Sequence, residues 1–206
     1  MPDILMIVVQ FAIVLFALSV HESAHGWMAN RLGDPTARLQ GRISLNPLAH
    51  IDPIGTIVFP LILALLKAPV FGWAKPVIID PRYFRKPRRD NMLVAAAGPL
   101  SNLLVAALGI LLFRLFTGWL VQNPVPAQFL LTVVIINVYL AAFNLIPIPP
   151  LDGSGVLEGL LPARWLRSYW QLRPYGFIIL IVLLYLNVID WIARPILGLV
   201  FFLIGV

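Results

Sequence analysis

Three apolar stretches dominate the sequence, and each is long enough to cross a lipid bilayer. They cover residues 4–30, 91–116 and 128–146, whereas a membrane-spanning helix needs about 20 predominantly apolar residues. Of the 206 residues, 60% are hydrophobic and 12% are charged, and that charged share is about half of what a soluble domain carries. The sequence therefore predicts an all-α integral membrane protein in contact with the lipid bilayer.

Two further apolar segments are shorter or interrupted. Residues 54–66 are too few for a straight crossing and contain Pro60, so we predict a re-entrant or short helix there. Residues 175–205 would form one long tilted pass, or two short passes broken between Asp190 and Pro195, and we favour two. With no internal repeat and no soluble module, residues 1–206 are expected to form a single polytopic membrane domain with a three-helix core.

The charged and sulfur-containing residues exclude several function classes. The chain has no cysteine, which excludes disulfides, thiolate metal ligands and cysteine nucleophiles. Any metal must therefore be bound by nitrogen and oxygen atoms. The net charge of +6 is explained by basic residues in cytoplasmic loops of a membrane protein, and we do not expect nucleic-acid binding.

A polar pentad, His21-Glu22-Ser23-Ala24-His25, lies in the second half of the first apolar stretch. On a helix, His21 and His25 share one face about one turn apart, so both imidazoles can bind one Zn²⁺. Glu22 is then placed to take a proton from a metal-bound water, as in the H-E-x-x-H pattern. Ionisable groups deep in a bilayer cost about 2.5–3.5 kcal/mol each. Metal binding therefore explains the pentad better than the alternative, a polar cluster that ends the helix at the water interface.

A catalytic zinc site usually has three protein ligands, and Asp152 is the candidate for the third. It follows the 128–146 stretch in a turn rich in proline and precedes Gly153 and Gly155, which would let the backbone approach closely. The alternative is that Asp152 caps the helix that begins near Gly155. The residues alone favour neither reading.

Three motifs in this order resemble those of the site-2 proteases, a family of intramembrane zinc metalloproteases. They are His21–His25, the run Gly98-Pro99-Leu100-Ser101-Asn102, and Asn144–Gly153 with the sequence NLIPIPPLDG. The resemblance covers residues 1 to about 160. It implies zinc-dependent cleavage of membrane-protein substrates in or near their transmembrane segments, with one Zn²⁺ per chain. It also implies His21, His25 and Asp152 as metal ligands and Glu22 as the general base.

The segment Phe71–Val77 (FGWAKPV) resembles a loop of a compact bacterial and archaeal subgroup of these proteases. The chain lacks the PDZ and CBS modules that other members carry. A transmembrane substrate must unwind locally, because its backbone is hydrogen-bonded within its own helix. Residues 72–77 are a candidate edge to which the unwound stretch would pair, although an ordinary surface turn is the simpler reading.

The distribution of basic residues predicts the orientation in the membrane. The three motifs meet at one depth only if residues 54–66 do not carry the chain across the bilayer. One face then receives Arg31, Arg38, Arg42, Lys75, Arg82, Arg85, Lys86, Arg88, Arg89, Arg164, Arg167 and Arg173, and the opposite face of the core receives Arg114. This asymmetry places the motifs on the cytoplasmic side of the cell membrane and the N-terminus outside.

Two asparagines and one further histidine accompany the motifs. We predict that Asn102, Asn144 or both donate hydrogen bonds to the oxyanion or to the substrate backbone. The alternative for each is a hydrogen bond between membrane helices. His50 lies in a loop and is left outside the ligand set.

Two other functions are compatible with a membrane metal site. The first is a catalytically silent scaffold that binds zinc for stability, but such a site has no use for the Glu22 carboxylate. The second is a metal transporter, which would place several acidic or histidine sites in series along different spans. Residues 91–116 and 128–146 contain no acidic residue, which argues against transport.

Overall fold

The computed structural model describes residues 4–66 and 72–205, and these residues form helices joined by turns and extended segments, without a strand. This confirms the predicted all-α class. The α-helices are α1 Ile4–Arg31, α2 Thr36–Leu39, α3 Phe59–Leu65, α4 Pro87–Leu115, α5 Thr117–Gln122, α6 Pro124–Asn144, α7 Asp152–Leu160, α8 Ala163–Trp170, α9 Gly176–Tyr185 and α10 Val188–Ile204.

Three of these helices, α1, α4 and α6, are long and apolar enough to cross a membrane. A fourth span results if residues 163–185 and 188–204, which are bent by 61° relative to each other, are counted as one. Helix α4 begins at Pro87, four residues before the predicted stretch. Proline is favoured in the first helical turn, and the Asp90 carboxylate accepts a hydrogen bond from the Lys86 N–H at 2.9 Å.

Helix α4 lies at the centre of the bundle and packs against α1, α6 and α7. It is antiparallel to α1, because His25 contacts Val94 whereas Ala17 contacts Asn102. The chain therefore leaves α1 and enters α4 at the same end of the bundle. A buried apolar cluster fills the far end between α4, α5, α6 and α10; it consists of Ala106, Phe113, Leu120, Val134, Val138, Val200 and Ile204.

Among the described residues between α1 and α4, one apolar helical segment is present, Pro53–Leu65. Its first turns, Pro53–Val58, are π-helical and continue directly into α3. Thirteen residues extend about 20 Å at 1.5 Å per residue, which is short of the roughly 30 Å hydrocarbon core. The helix does not have the length for a straight crossing.

Residues 72–80 form an extended segment that packs against the C-terminal half of α1 and the turn after it. The N–H of Trp73 donates to the Gly55 carbonyl at 3.1 Å, and the N–H of Lys75 donates to the His50 carbonyl at 2.8 Å. The N–H of Asp80 donates to the buried Asp34 carboxylate at 2.8 Å. These hydrogen bonds fasten the segment at both ends. Phe71, the first residue of the predicted Phe71–Val77 loop, lies outside the described residues.

The C-terminal apolar region forms two helices, α9 and α10, whose junction is at Asn187. The predicted break between Asp190 and Pro195 is thus placed several residues too late. Asn187 has a left-handed backbone with φ of 54°, a conformation that asparagine tolerates better than most residues. Pro195 lies inside α10, as proline can within helices packed in a membrane bundle.

Candidate metal centre and active-site cavity

Three potential metal ligands converge between α1 and the start of α7. Asp152 Oδ2 lies 3.0 Å from His21 Nε2 and 3.4 Å from His25 Nε2, and the two Nε2 atoms are 3.1 Å apart. Ligands bound to a tetrahedral zinc ion at about 2.0–2.1 Å are themselves about 3.3–3.4 Å apart. The three donor atoms therefore have the spacing that one zinc ion requires.

Asp152 is a potential metal ligand, and its side chain does not cap a helix. Helix α7 has Leu151 at its N-cap and no side-chain capping hydrogen bond. The buried Asp152 Oδ2 has no hydrogen-bond partner among the described residues. An aspartate carboxyl is ordinarily ionised at neutral pH, and the ionised form is the one that binds a cation.

The Pro-rich turn before α7 brings Asp152 to the histidines. Gly153 lies so close to the end of α6 that a Cβ there would be 2.5 Å from the Ile146 carbonyl oxygen. A side chain at this position would push the turn outward and move the neighbouring carboxylate. The glycine thus allows the close backbone approach that was predicted from the sequence.

Gly98 of α4 faces the two histidines. A Cβ at Gly98 would lie 2.6 Å from His21 Nε2 and closer still to His25 Nε2. Real Cβ contacts do not reach such distances, so a side chain here would occupy the space beside the donor atoms. The missing Cβ keeps that space open.

The second nitrogen of each imidazole is held by a buried acceptor. His25 Nδ1 lies 2.7 Å from the Val94 carbonyl oxygen, and His21 Nδ1 lies 2.6 Å from Asn102 Oδ1. An acceptor at Nδ1 retains the proton there and leaves Nε2 unprotonated for a metal, the usual arrangement around metal-binding histidines. The Val94 carbonyl has no sequence signature, because every residue carries one.

The two predicted asparagines lie in different places. Asn102 is fully buried behind His21, and its Nδ2 donates to Asn137 Oδ1 at 2.9 Å and to the Ala17 carbonyl at 3.3 Å. It does not line the cavity in front of the ligands. Asn144 does line that cavity, and its Nδ2 donates to the Leu140 carbonyl at 2.9 Å. Sequence reasoning missed Asn137, a buried amide in an otherwise apolar helix, and that contrast was the available signal.

Glu22 lies beside the ligands at the edge of the same cavity. Its Oε2 accepts a hydrogen bond from the Val77 N–H at 3.1 Å. The extended segment 72–80 therefore contacts the carboxylate that was predicted to act as the base. His50, by contrast, donates from its Nε2 to the Ser44 carbonyl at 2.8 Å and is not part of the metal-ligand group.

A cavity of about 630 Å³ opens in front of the donor atoms. Its polar lining includes the three potential ligands, Glu22 and Asn144. Apolar side chains form much of the remainder, among them Leu18, Val77, Ile79, Phe143, Phe177 and Leu180. The space is large enough for several residues of an extended peptide. Among the described lining residues, the ionisable groups are confined to the three potential ligands and Glu22.

Comparison with known proteins gives a consistent result. Residues 120–183 match the model of peptidase family M50. The chain is 36% identical over 190 residues to "Putative zinc metalloprotease YwhC" of Bacillus subtilis, an alignment that covers 90% of this chain and 84% of that protein. It is 31% identical over 173 residues to "Putative zinc metalloprotease Rip2" of Mycolicibacterium smegmatis, covering 82% and 64% respectively.

A third relative has a similar level of identity. The chain is 32% identical over 153 residues to "Putative zinc metalloprotease MJ0611" of Methanocaldococcus jannaschii, which covers 72% of this chain and 73% of that protein. No solved structure matches the chain at a significant level.

Proposed function

The chain belongs to peptidase family M50, the site-2 proteases that its motifs resemble, and from this premise we propose that it is a zinc-dependent intramembrane endopeptidase. Its substrates would be membrane proteins, cleaved in or near a transmembrane segment. The observation that carries the proposal is the convergence of His21, His25 and Asp152 beside Glu22 in one cavity, within a bundle of apolar helices.

The proposed roles follow from the geometry of the cavity. His21, His25 and Asp152 would hold the zinc ion, which when bound polarises the scissile carbonyl and lowers the pKa of a water toward about 7. The Glu22 carboxylate accepts the proton of the attacking water and delivers it to the leaving amine. The hydrogen bond from Val77 to Oε2 fixes this carboxylate in the cavity and leaves Oε1 to exchange the proton.

The oxyanion and positioning roles are divided between the two asparagines. Asn144 lines the cavity, and an amide has two N–H groups, so we assign it the hydrogen bond to the oxyanion or substrate backbone. Asn102 is turned away from the cavity and accepts from His21. We assign it the task of orienting that ligand.

The extended segment 72–80 supports the proposed recognition of an unwound substrate. In an extended chain, successive residues direct their backbone groups to opposite sides. Trp73 and Lys75 direct theirs toward Gly55 and His50, inside the protein. Ala74 and Pro76 therefore present their carbonyls in the opposite direction, and both residues line the cavity. Because Glu22 lines the same cavity, a substrate strand bound along this segment would share the cavity with that carboxylate.

The cavity is proposed to face the cytoplasmic side of the cell membrane. The antiparallel packing of α1 against α4 places the end of α1 and the start of α4 at one end of the bundle, and most of the basic residues lie in or next to the segments that join there. We predict that reporter fusions at Pro35 and at Arg85 will both report a cytoplasmic location. Opposite locations for the two fusions would reject this topology.

The proposed activity is tested with purified protein and single-span membrane substrates. We expect cleavage to stop when a chelator removes the metal and to return when zinc is added back. The reason is that the proposed mechanism relies on the bound zinc ion to polarise the scissile carbonyl. A soluble unfolded peptide serves as the control for membrane-independent proteolysis. Zinc binding without any cleavage would support the silent scaffold, and zinc uptake into sealed vesicles would support the transporter.

A further inference from the structure

Two buried asparagines link His21 to helix α6. Asn102 has no exposed surface and Asn137 is 1% exposed. Asn102 Oδ1 lies 2.6 Å from His21 Nδ1, Asn102 Nδ2 donates to Asn137 Oδ1 at 2.9 Å, and Asn137 Nδ2 donates to the Val133 carbonyl at 2.9 Å. The hydrogen bonds form a continuous line from α6 through α4 to the metal ligand on α1.

The line has a fixed direction because it begins at a group that only accepts. The Val133 carbonyl has no hydrogen to donate, so the part of Asn137 that faces it must be the NH₂ group. Asn137 then presents its oxygen to Asn102. The Asn137 oxygen must accept a hydrogen bond from an N–H of Asn102, and the nearby Ala17 carbonyl accepts from the same NH₂ group. The Asn102 amide therefore turns its NH₂ away from His21 and its oxygen toward it.

The orientation of Asn102 decides the tautomer of His21. With Oδ1 at 2.6 Å, His21 Nδ1 carries the proton and Nε2 keeps its lone pair. If the amide were reversed, its NH₂ would donate to Nδ1, the proton would move to Nε2, and the imidazole would turn an N–H toward the metal position. Building on the proposed zinc site, we infer that Asn137 is a positioning residue that holds Asn102, and through it His21, in the metal-binding form.

Packing alone does not account for an amide at this position. Asn137 lies between Val134 and Val138, two members of the buried apolar cluster, where an apolar side chain of similar size would pack as well. If Asn102 and Asn137 served only to join α4 to α6, either orientation of their two amides would form the hydrogen bond. The fixed direction matters only to the partner at the end of the line, which is His21.

The inference is tested by zinc affinity, measured by competition with a chromophoric chelator on detergent-purified protein. Asn137→Leu removes the acceptor for Asn102, and we expect zinc to bind about tenfold more weakly, at the low end of the range for outer-shell partners. Asn137→Ser still reaches the Val133 carbonyl but is too short for Asn102, and it should give a similar loss. A second readout is the ¹⁵N NMR of labelled histidine, in which His21 should lose its single Nδ1–H tautomer.

Two control variants on α6 separate this effect from general damage to the helix. Thr132→Val removes the same kind of side-chain bond to the preceding turn, since Thr132 Oγ1 donates to the Gln128 carbonyl at 2.7 Å. Val138→Ala disturbs the packing next to Asn137. Both should bind zinc within about twofold of the unmodified protein. Equal losses in the controls and in the two Asn137 variants would overturn the inference.

A double-mutant comparison isolates the direction of the amide. A carboxylate at position 102 accepts through either oxygen, so Asn102→Asp holds the His21 Nδ1 proton without help from Asn137. Adding Asn137→Leu to Asn102→Asp should therefore cause no further loss of zinc affinity. An additive tenfold loss would overturn the inference. Absence of zinc binding in the unmodified protein would instead reject the proposed function itself.

Discussion

The Glu22→Gln variant should lose peptide cleavage while it still binds zinc. Glu22 is not one of the three ligand residues, so the metal site keeps its donor set. Glutamine has nearly the same shape and can still accept from the Val77 N–H, but an amide cannot take a proton from water. Proton transfer by a positioned side chain contributes about 10²–10⁴-fold to a rate, and we expect a loss of that size in cleavage of a single-span substrate.

The chain contains a matched control for this change. Glu158 lies at the end of α7, outside the metal-ligand group, and forms an ion pair with Arg173 at 2.8 Å. Glu158→Gln makes the same chemical change and should leave the cleavage rate within about threefold. Cleavage retained in Glu22→Gln at the level of this control would remove Glu22 from the role of base.

The same variant provides a way to identify the substrate. With zinc bound and proton transfer blocked, a substrate can occupy the cavity without being turned over. We expect the Glu22→Gln protein to retain its substrate in native membranes, where it can be recovered by affinity purification. The double change Glu22→Gln with Asp152→Ala lacks a metal ligand and should retain less of it.

Short-range chemical patterns were predictable from the sequence. The i, i+4 spacing fixes His21 and His25 on one face of α1 whatever the surrounding fold is. The apolar stretches likewise predict α1, α4 and α6, because the bilayer requires their length. Asp152 was undecided on residues alone, since its position relative to the histidines depends on how the turn before α7 folds.

Features that depend on packing between helices were not predictable. Asn102 ends one motif and Asn144 begins another, yet of these two only Asn144 lines the cavity, because the rotation of each helix is set by its neighbours. Asn137 belongs to no motif, and its hydrogen bond to Asn102 depends on how α4 and α6 pack, which the sequence does not show. The break between the last two helices lies at Asn187, but it was predicted between Asp190 and Pro195. Proline and charged residues are stronger sequence signals for a helix break than an asparagine, whose left-handed backbone is visible only in the structure.

Gly98→Ala is the second change for which we expect a large effect. It should weaken zinc binding, whereas Glu22→Gln should block proton transfer. The added Cβ would lie 2.6 Å from His21 Nε2 and closer to His25 Nε2, so one or both imidazoles must move. Alanine is about 1 kcal/mol more favourable than glycine within a helix, and the variant should not weaken α4 on grounds of propensity. We predict that zinc affinity falls by at least about 100-fold, at or beyond the upper end of the range for outer-shell changes.

Zinc content and chelator competition measure this effect, and helix content by circular dichroism shows whether the fold is retained. Gly198→Ala is the matched control, because a Cβ at that helical position meets no atom of the described residues within 4 Å; it should bind zinc normally. The test discriminates because the same methyl group favours the helix and obstructs the donor atoms. A Gly98→Ala protein that binds zinc as tightly as Gly198→Ala would show that the ion does not occupy the space between His21, His25 and α4.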